Sequence, residues 1–225
     1  MSVAARLAAV KERMARAAEA AGRDAATVRL VAISKLHPAS SVREAYVAGQ
    51  RAFGENYAQE LREKAKALAD LADIEWHFTG HLQTNKVKLV APVVSTVETV
   101  DSTHLARELA RRATLASRAI DVLVEVSVAG EAQKSGVVPA DLEGVLAAVE
   151  REPSLRLRGL MTMPPFGDPE TSRGVFDTLR SIRNLHGGPA RLPELSMGMS
   201  SDLEVAIASG ATLVRVGTAI FGERA

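Results

Sequence analysis

Hydrophobic and polar positions along the chain fall into two alternating patterns. Short apolar runs, rich in β-branched residues, are typical of strands that are covered on both faces. The longer stretches between them place apolar residues at helical spacing. The apolar runs predict strands over residues 28–35, 51–54, 74–78, 93–97, 120–126, 155–161, 192–196 and 211–216. The amphipathic stretches predict helices over residues 2–22, 40–48, 57–71, 85–90, 102–117, 139–150, 170–185 and 201–209.

The alternation of strand and helix predicts an α/β fold, and it favours a single (β/α)₈ TIM barrel over an open sheet. An open doubly wound sheet normally has a glycine-rich turn after its first strand. Here that turn is Ser34-Lys35-Leu36-His37-Pro38. No long linker divides the chain, so residues 1–225 are predicted to form one domain, with an extra N-terminal helix added to the barrel.

Composition excludes several classes of protein. The 225 residues carry a net charge of +1, which gives no overall bias toward nucleic acid, and 47% of them are hydrophobic. The absence of cysteine excludes disulfides and thiolate metal sites. The N-terminal segment lacks the apolar core of a signal peptide, and no stretch approaches the ~20 apolar residues of a membrane span. We therefore expect a cytoplasmic protein that contacts no membrane.

Lys35 is in an unusual place for a lysine, at the carboxyl end of the first predicted strand. Because side chains alternate along a strand, Lys35 shares a face with Val31 and Ile33. One interpretation is that its long side chain simply extends into water. The other is that burial lowers the pKa of the amine, which can then react with an aldehyde to form a Schiff base.

Two loops near the end of the chain combine glycine with hydroxyl residues. The first is Ser196-Met197-Gly198-Met199-Ser200-Ser201-Asp202 and the second is Gly217-Thr218-Ala219-Ile220-Phe221-Gly222. In TIM barrels a phosphate site commonly forms from the loops after strands seven and eight. Each loop alone is also compatible with an ordinary capped helix start. Their joint position opposite a strand-end lysine favours a phosphate site.

Arg215 lies on the face of its strand opposite Val214 and Val216, so it is predicted to point into the barrel. A buried arginine needs a partner, which could be a ligand acceptor such as a pyridine nitrogen or a strand-end carboxylate. A structural ion pair with Asp202 or Glu204 is the alternative.

No metal site is predicted. His77 and His81 are four residues apart, as in a metal-binding pair on a helix, but Thr79-Gly80 between them marks a strand end and a loop.

Runs of residues spread over nearly the whole chain resemble the pyridoxal phosphate homeostasis proteins. The combination is specific, although no single run would be. The runs are Ser34-Lys35, Phe53-Gly54-Glu55-Asn56-Tyr57-Ala58-Gln59-Glu60, Trp76-His77-Phe78, Gly80-His81-Leu82-Gln83-Thr84-Asn85-Lys86, Lys134-Ser135-Gly136, Arg158-Gly159-Leu160-Met161, Leu195-Ser196-Met197-Gly198-Met199-Ser200 and Arg215-Val216-Gly217-Thr218-Ala219-Ile220-Phe221-Gly222.

This resemblance implies the barrel of the alanine racemase N-terminal domain and a pyridoxal 5'-phosphate (PLP) cofactor. By resemblance, Lys35 would hold the aldehyde as an imine, and Arg215 would lie beside the pyridine nitrogen. Asn56 and His77 would line the ring. The phosphate would be held by Ser196, Gly198, Met199, Ser200, Gly217 and Thr218. Leu36-His37 departs from the threonine-lysine pair that follows the reactive lysine in many members. The departure leaves the imine intact and affects only what is expected at the mouth of the pocket.

The leading functional hypothesis is a carrier or regulator that takes part in intracellular PLP (vitamin B6) homeostasis, with effects on amino and keto acid metabolism and with apo-enzymes as acceptors. No catalytic residue is assigned, because the second acid/base group and the second domain of the racemase are not expected in this chain. For the same reason a monomer is expected. A small amino acid racemase or lyase, and a barrel that binds another phosphorylated metabolite, remain as alternatives.

Overall fold

The computed structural model describes residues 1–128, 135–165 and 169–223. Within these ranges eight parallel strands form a closed barrel in sequence order, β1 to β8. This confirms the predicted TIM barrel. The strands are β1 Arg29–Ile33, β2 Ala52–Glu55, β3 Glu75–Phe78, β4 Thr96–Val100, β5 Ile120–Glu125, β6 Leu155–Met161, β7 Glu194–Ser196 and β8 Leu213–Val216.

Helices cover the outside of the barrel. They are α1 Val3–Ala20, α2 Ala39–Val47, α3 Ala58–Ala67, α4 Val87–Val90, α5 Thr103–Leu115, α6 Leu142–Glu150, α7 Pro169–Leu185, α8 Gly188–Arg191, α9 Leu203–Ala208 and α10 Thr218–Phe221. Short 3₁₀ turns cover Ala25–Thr27, Thr84–Lys86 and Pro139–Asp141. No helix in the described ranges is long and apolar enough to cross a membrane.

The N-terminal helix α1 is the predicted addition to the barrel. Ser2 caps it, because its hydroxyl accepts a hydrogen bond from the Ala5 N–H. Its buried residues recur at helical spacing, and the helix packs on α9 and α10. Arg6 joins it to the end of the chain by donating from Nε to the Ile220 carbonyl at 2.7 Å.

The barrel interior has three levels. At the amino ends of the strands the interior positions are charged and paired with one another, namely Arg29, Glu75, Asp121, Arg156, Arg158 and Glu194. The middle is an apolar cluster of Val31, Ile33, Leu123, Met161 and Leu213. The carboxyl ends carry polar side chains. The middle level makes the barrel a packed core rather than a pore.

Two strand ends that matter for the site differ from the sequence-based prediction, and one short helix is additional. Strand β1 ends at Ile33, so Lys35 lies in the following turn rather than in the strand. Strand β4 covers Thr96–Val100 instead of 93–97, because the N–H groups of Val93 and Val94 donate to the Val90 carbonyl and continue the end of α4. The short helix α8 was not predicted. Lys134 and the rest of residues 129–134 lie outside the described residues.

Candidate functional site

Lys35 is half-buried and lies two residues beyond the end of β1. Val31 and Ile33 belong to the apolar cluster inside the barrel, as the alternation of side chains predicts. The next residue, Leu36, has a φ of 63°, a left-handed conformation that is uncommon for a branched side chain. The chain therefore turns sharply at the carboxyl end of the barrel, immediately after the lysine.

Arg215 points into the barrel, as predicted, and is 4% exposed. Its Nη1 donates to the Ser196 hydroxyl at 2.6 Å, and its Nη2 donates to the Thr162 carbonyl at 2.9 Å. Its carboxylate partner is Glu98, at 3.9 Å. The alternative prediction of an ion pair with Asp202 or Glu204 is therefore wrong. Glu204 pairs with Arg13 at 2.9 Å, and Asp202 accepts hydrogen bonds from Ser172 and Met199.

Glu98 joins the polar groups at the carboxyl end into one network. Its Oε1 is 2.6 Å from His77 Nδ1, and its Oε2 accepts from the Ser196 hydroxyl at 2.6 Å. Burial would raise the pKa of Glu98, but the hydrogen bond from His77, together with Arg215 and Ser196, outweighs burial and leaves the pKa below its usual value. Glu98 is therefore the anion that compensates the buried Arg215.

Glu125 is a second carboxyl group inside the barrel. It is 3% exposed and follows the same strand face as Leu123, so it points inward at the end of β5. Its Oε1 accepts from the Ser135 hydroxyl at 2.8 Å, whereas Oε2 is buried without a hydrogen-bond partner among the described residues. Burial raises the pKa of Glu125, and this effect is larger than the lowering by Ser135 and Arg215.

The loop after β7 is shaped by Gly198 and Asp202. Gly198 has a φ of 93° and its carbonyl accepts from the Arg215 N–H at 3.0 Å, which ties the loop to β8. Asp202 accepts from the Met199 N–H at 2.6 Å and from the Ser172 hydroxyl at 3.0 Å. The Met199 N–H and the Ser196 hydroxyl are thus engaged within the protein, whereas Ser200 is partly exposed at the mouth.

The loop after β8 lies beside the turn that carries Lys35. Strands β1 and β8 are neighbours, with Ala32 in register with Val216. A Cβ on Gly217 would come within 3.1 Å of the Ile33 carbonyl oxygen. His37 stacks on Phe221 with ring centroids 5.3 Å apart. The structure therefore brings Gly217 and Thr218 next to the Lys35 turn.

Asn56 and His77 come from the two strands that follow β1. Asn56 is partly buried just after β2, and its Oδ1 accepts from the Thr79 hydroxyl at 3.1 Å. Gly80 allows the backbones to approach, because a Cβ there would lie 2.2 Å from the Asn56 carbonyl oxygen. His77 is buried inside the barrel, whereas His81 is exposed on the loop, so the two histidines belong to different environments.

Two carboxylates of the site were missing from the sequence-based prediction. Glu98 was missed because the predicted fourth strand ended at Val97, one residue before it. Its signal was available, since Glu98 stands between β-branched residues, with Thr96 and Val97 before it and Thr99 and Val100 after it. Glu125 was within a predicted strand, where an acidic residue in an otherwise apolar run is itself informative.

The barrel, with a lysine just beyond β1 and a buried arginine on β8, defines a protein of the alanine racemase N-terminal domain class, and the model of that family matches residues 5–225. A Pyridoxal phosphate homeostasis protein from Pseudomonas aeruginosa is 46% identical over 99% of this chain and 96% of its own length. One from Aquifex aeolicus is 44% identical over 100% and 99%. The chain therefore belongs to the family of pyridoxal phosphate homeostasis proteins.

Solved structures agree with this assignment. PipY of Synechococcus elongatus PCC7942, solved with PLP bound, superposes with a TM-score of 0.86 at 38% identity, covering 98% of this chain and 100% of that chain. Alanine racemase from Bartonella henselae superposes with a TM-score of 0.72 at 15% identity, and this chain covers 60% of it. The second likeness shows the fold alone.

Proposed function

We propose that this protein binds pyridoxal 5'-phosphate reversibly, on Lys35, and supplies it to other proteins. The observation that carries the proposal is the meeting of Lys35, Arg215 and the two glycine-hydroxyl loops at one end of the barrel. Bound pyridoxal 5'-phosphate supplies an aldehyde that reacts with amines. The homologous PipY, solved with PLP bound, supports the same ligand.

The residues at the barrel mouth fit this ligand. Lys35 offers an amine, and the Gly217-Thr218 loop lies beside its turn with a hydroxyl at the surface. Gly198 and Ser200 come from the neighbouring β7 loop, which is tied to β8. We propose that these two loops hold the phosphate. The Met199 N–H and the Ser196 hydroxyl, which are hydrogen-bonded within the protein, are proposed to fix the shape of the β7 loop.

Arg215 is suited to lie at a ring nitrogen. Its described hydrogen bonds use two of the five N–H donors that a guanidinium carries. A guanidinium only donates, so it stabilises an unprotonated pyridine nitrogen and weakens the ring as an electron sink. His77, held by Glu98, and Asn56 are proposed to line the ring. These features favour a carrier over an enzyme.

The first experiment tests the attachment site. Protein loaded with pyridoxal 5'-phosphate is expected to be yellow, to bleach with borohydride and to carry a pyridoxyl group on the peptide that contains Lys35. Lys35→Ala should abolish the labelled peptide, whereas Lys88→Ala, at an exposed position, should retain it. Chromophore bound as firmly in Lys35→Ala as in the wild type would overturn the proposal.

The second experiment tests the carrier role. Loaded protein is mixed with an apo-enzyme that requires pyridoxal 5'-phosphate, and recovery of that enzyme's activity is followed. Recovery faster than spontaneous release into buffer supports a carrier. Inversion or cleavage of an L-amino acid that disappears in Lys35→Ala would instead indicate a racemase or lyase.

We further propose that the protein is a monomer, and light scattering can measure its molar mass in solution.

A further inference from the structure

A buried ionic cluster lies outside the barrel wall, directly behind the Lys35 turn. It consists of Glu55 at the end of β2 with Glu60 and Lys64 on α3. The side chain of Lys64 is 6% exposed, that of Glu55 is fully buried, and that of Glu60 is 21% exposed. A buried cluster of charges is weak support for stability, because desolvation offsets much of the attraction. Its hydrogen bonds to the backbone beside Lys35 indicate a role other than stability.

The ammonium group of Lys64 has all three of its protons engaged. It donates to the Ser34 carbonyl at 2.6 Å, to Glu55 Oε1 at 2.6 Å and to Glu60 Oε1 at 2.7 Å. The Ser34 hydroxyl also donates to Glu55 Oε1, at 2.6 Å. Ser34, the residue before Lys35, is thus bonded to the cluster twice, once through its backbone carbonyl and once through its hydroxyl.

The backbone on the carboxyl side of Lys35 is bonded to the same cluster. The Leu36 N–H donates to Glu60 Oε1 at 2.6 Å. The Leu36 side chain is exposed, and its backbone has the left-handed conformation. A left-handed conformation costs a branched residue about 1–2 kcal/mol and persists only where its surroundings impose it. The hydrogen bond to Glu60 is such a restraint.

We propose that Lys64 and Glu60 are positioning residues for Lys35: they clamp the backbone on both sides of the lysine and so direct its amine into the barrel mouth. The inference rests on the proposed function, in which Lys35 binds the aldehyde. None of the clamp side chains needs to touch the ligand. Glu55 anchors the clamp, since it holds Lys64 and Ser34 together from the wall of β2.

Removal of the Glu60 carboxyl group is the direct test. In Glu60→Ala the affinity for pyridoxal 5'-phosphate should fall about tenfold, in line with one or two charge-assisted hydrogen bonds, and hydroxylamine should strip the chromophore faster. Glu60→Gln keeps an acceptor oxygen for Leu36 and Lys64 and should recover most of the loss. The pH midpoint of the visible absorption band should shift in Glu60→Ala and return in Glu60→Gln.

Lys64→Met tests the other half of the clamp, with Lys66→Met on the same helix as an exposed control. A folded Lys64→Met protein should show the same loss of affinity and the same shifted midpoint, and Lys66→Met neither. The clamp is overturned if Glu60→Ala keeps wild-type affinity, stripping rate and midpoint while borohydride still labels Lys35. If Lys35 is never labelled in the wild type, the proposed function itself has failed.

Discussion

Gly198 offers a quantitative test of how the β7 loop is packed. Its φ of 93° lies in the left-handed region, and a Cβ built there would stand 2.4 Å from the Cβ of Ala206 on α9. Replacing Gly198 by alanine therefore adds two separable penalties. The backbone conformation contributes about 1–3 kcal/mol, and the clash with buried Ala206 contributes about 1–3 kcal/mol.

Ala206→Gly separates the two penalties, because it removes the methyl group that the new side chain would meet. Alone it should cost about 1–2 kcal/mol, from a glycine in a helix and the loss of a buried methyl group. The double variant Gly198→Ala with Ala206→Gly should keep the backbone penalty and lose the clash. The free energies of unfolding should then be non-additive, with a favourable coupling of about 1–3 kcal/mol.

Urea unfolding of the four proteins, analysed by linear extrapolation, measures this coupling. Since the Gly198 carbonyl accepts from the Arg215 N–H, Gly198→Ala should also weaken pyridoxal 5'-phosphate binding more than Ala206→Gly does. Additivity within about 0.5 kcal/mol would refute the packing argument. A Gly198→Ala protein as stable as the wild type would refute the conformational argument too.

Three further predictions concern charged groups. Burial raises the pKa of Glu125, so the native state keeps a proton that the unfolded chain releases, and stability should decline as pH rises above about 4.3. Glu125→Gln should make that decline smaller in urea titrations, while buried Glu55, whose pKa is also raised, supplies the remainder. A wild-type slope in Glu125→Gln would contradict this. Glu98→Ala leaves the guanidinium of Arg215 buried without its carboxylate and should cost about 3–5 kcal/mol in thermal or urea unfolding, and a cost below about 1 kcal/mol would contradict the pairing. Glu143, more than half exposed, has a pKa lowered to about 2 by Arg191 and His186, so its small contribution, below about 1 kcal/mol, should be present above about pH 4.3 and be lost on acidification. Glu143→Gln should lose less stability on acidification than the wild type, because Glu108, whose pKa is also lowered to about 2, keeps its own contribution, and added salt should weaken the wild-type effect.

The barrel and its two principal side chains were predictable from the sequence. Alternating strand and helix patterns leave few topologies for a parallel sheet, and the two-residue period of β8 places Arg215 on the inner side. The apolar run before Lys35 likewise placed that lysine at the carboxyl end of the barrel, although β1 ends at Ile33 and Lys35 lies in the turn that follows. Neither prediction requires knowledge of which residues are close in space. The carboxylate partner of Arg215 does require it, because Asp202 and Glu204 are near in sequence whereas Glu98 is near only in the folded barrel.

The position of β4 shows why boundaries were harder. Residues 93–97 are as rich in β-branched residues as a strand requires, but Val93 and Val94 are hydrogen-bonded to Val90 at the end of α4. Local hydrogen bonds at the end of α4 thus keep Val93 and Val94 out of the strand, which begins at Thr96 and includes Glu98. The Glu60–Lys64 pair was hidden for another reason: acid and base four residues apart are common on helix surfaces.

The paired charges at the amino ends of the strands limit the paths that are open to a ligand. Below the mouth, the barrel is filled by packed apolar side chains and then sealed by salt bridges such as Arg29–Glu194, at 2.7 Å. Among the described residues the carboxyl end is the open end of the barrel, so under the proposed function one ligand leaves by the route through which the next one enters. For such a carrier, release of one pyridoxal 5'-phosphate and binding of the next are successive events.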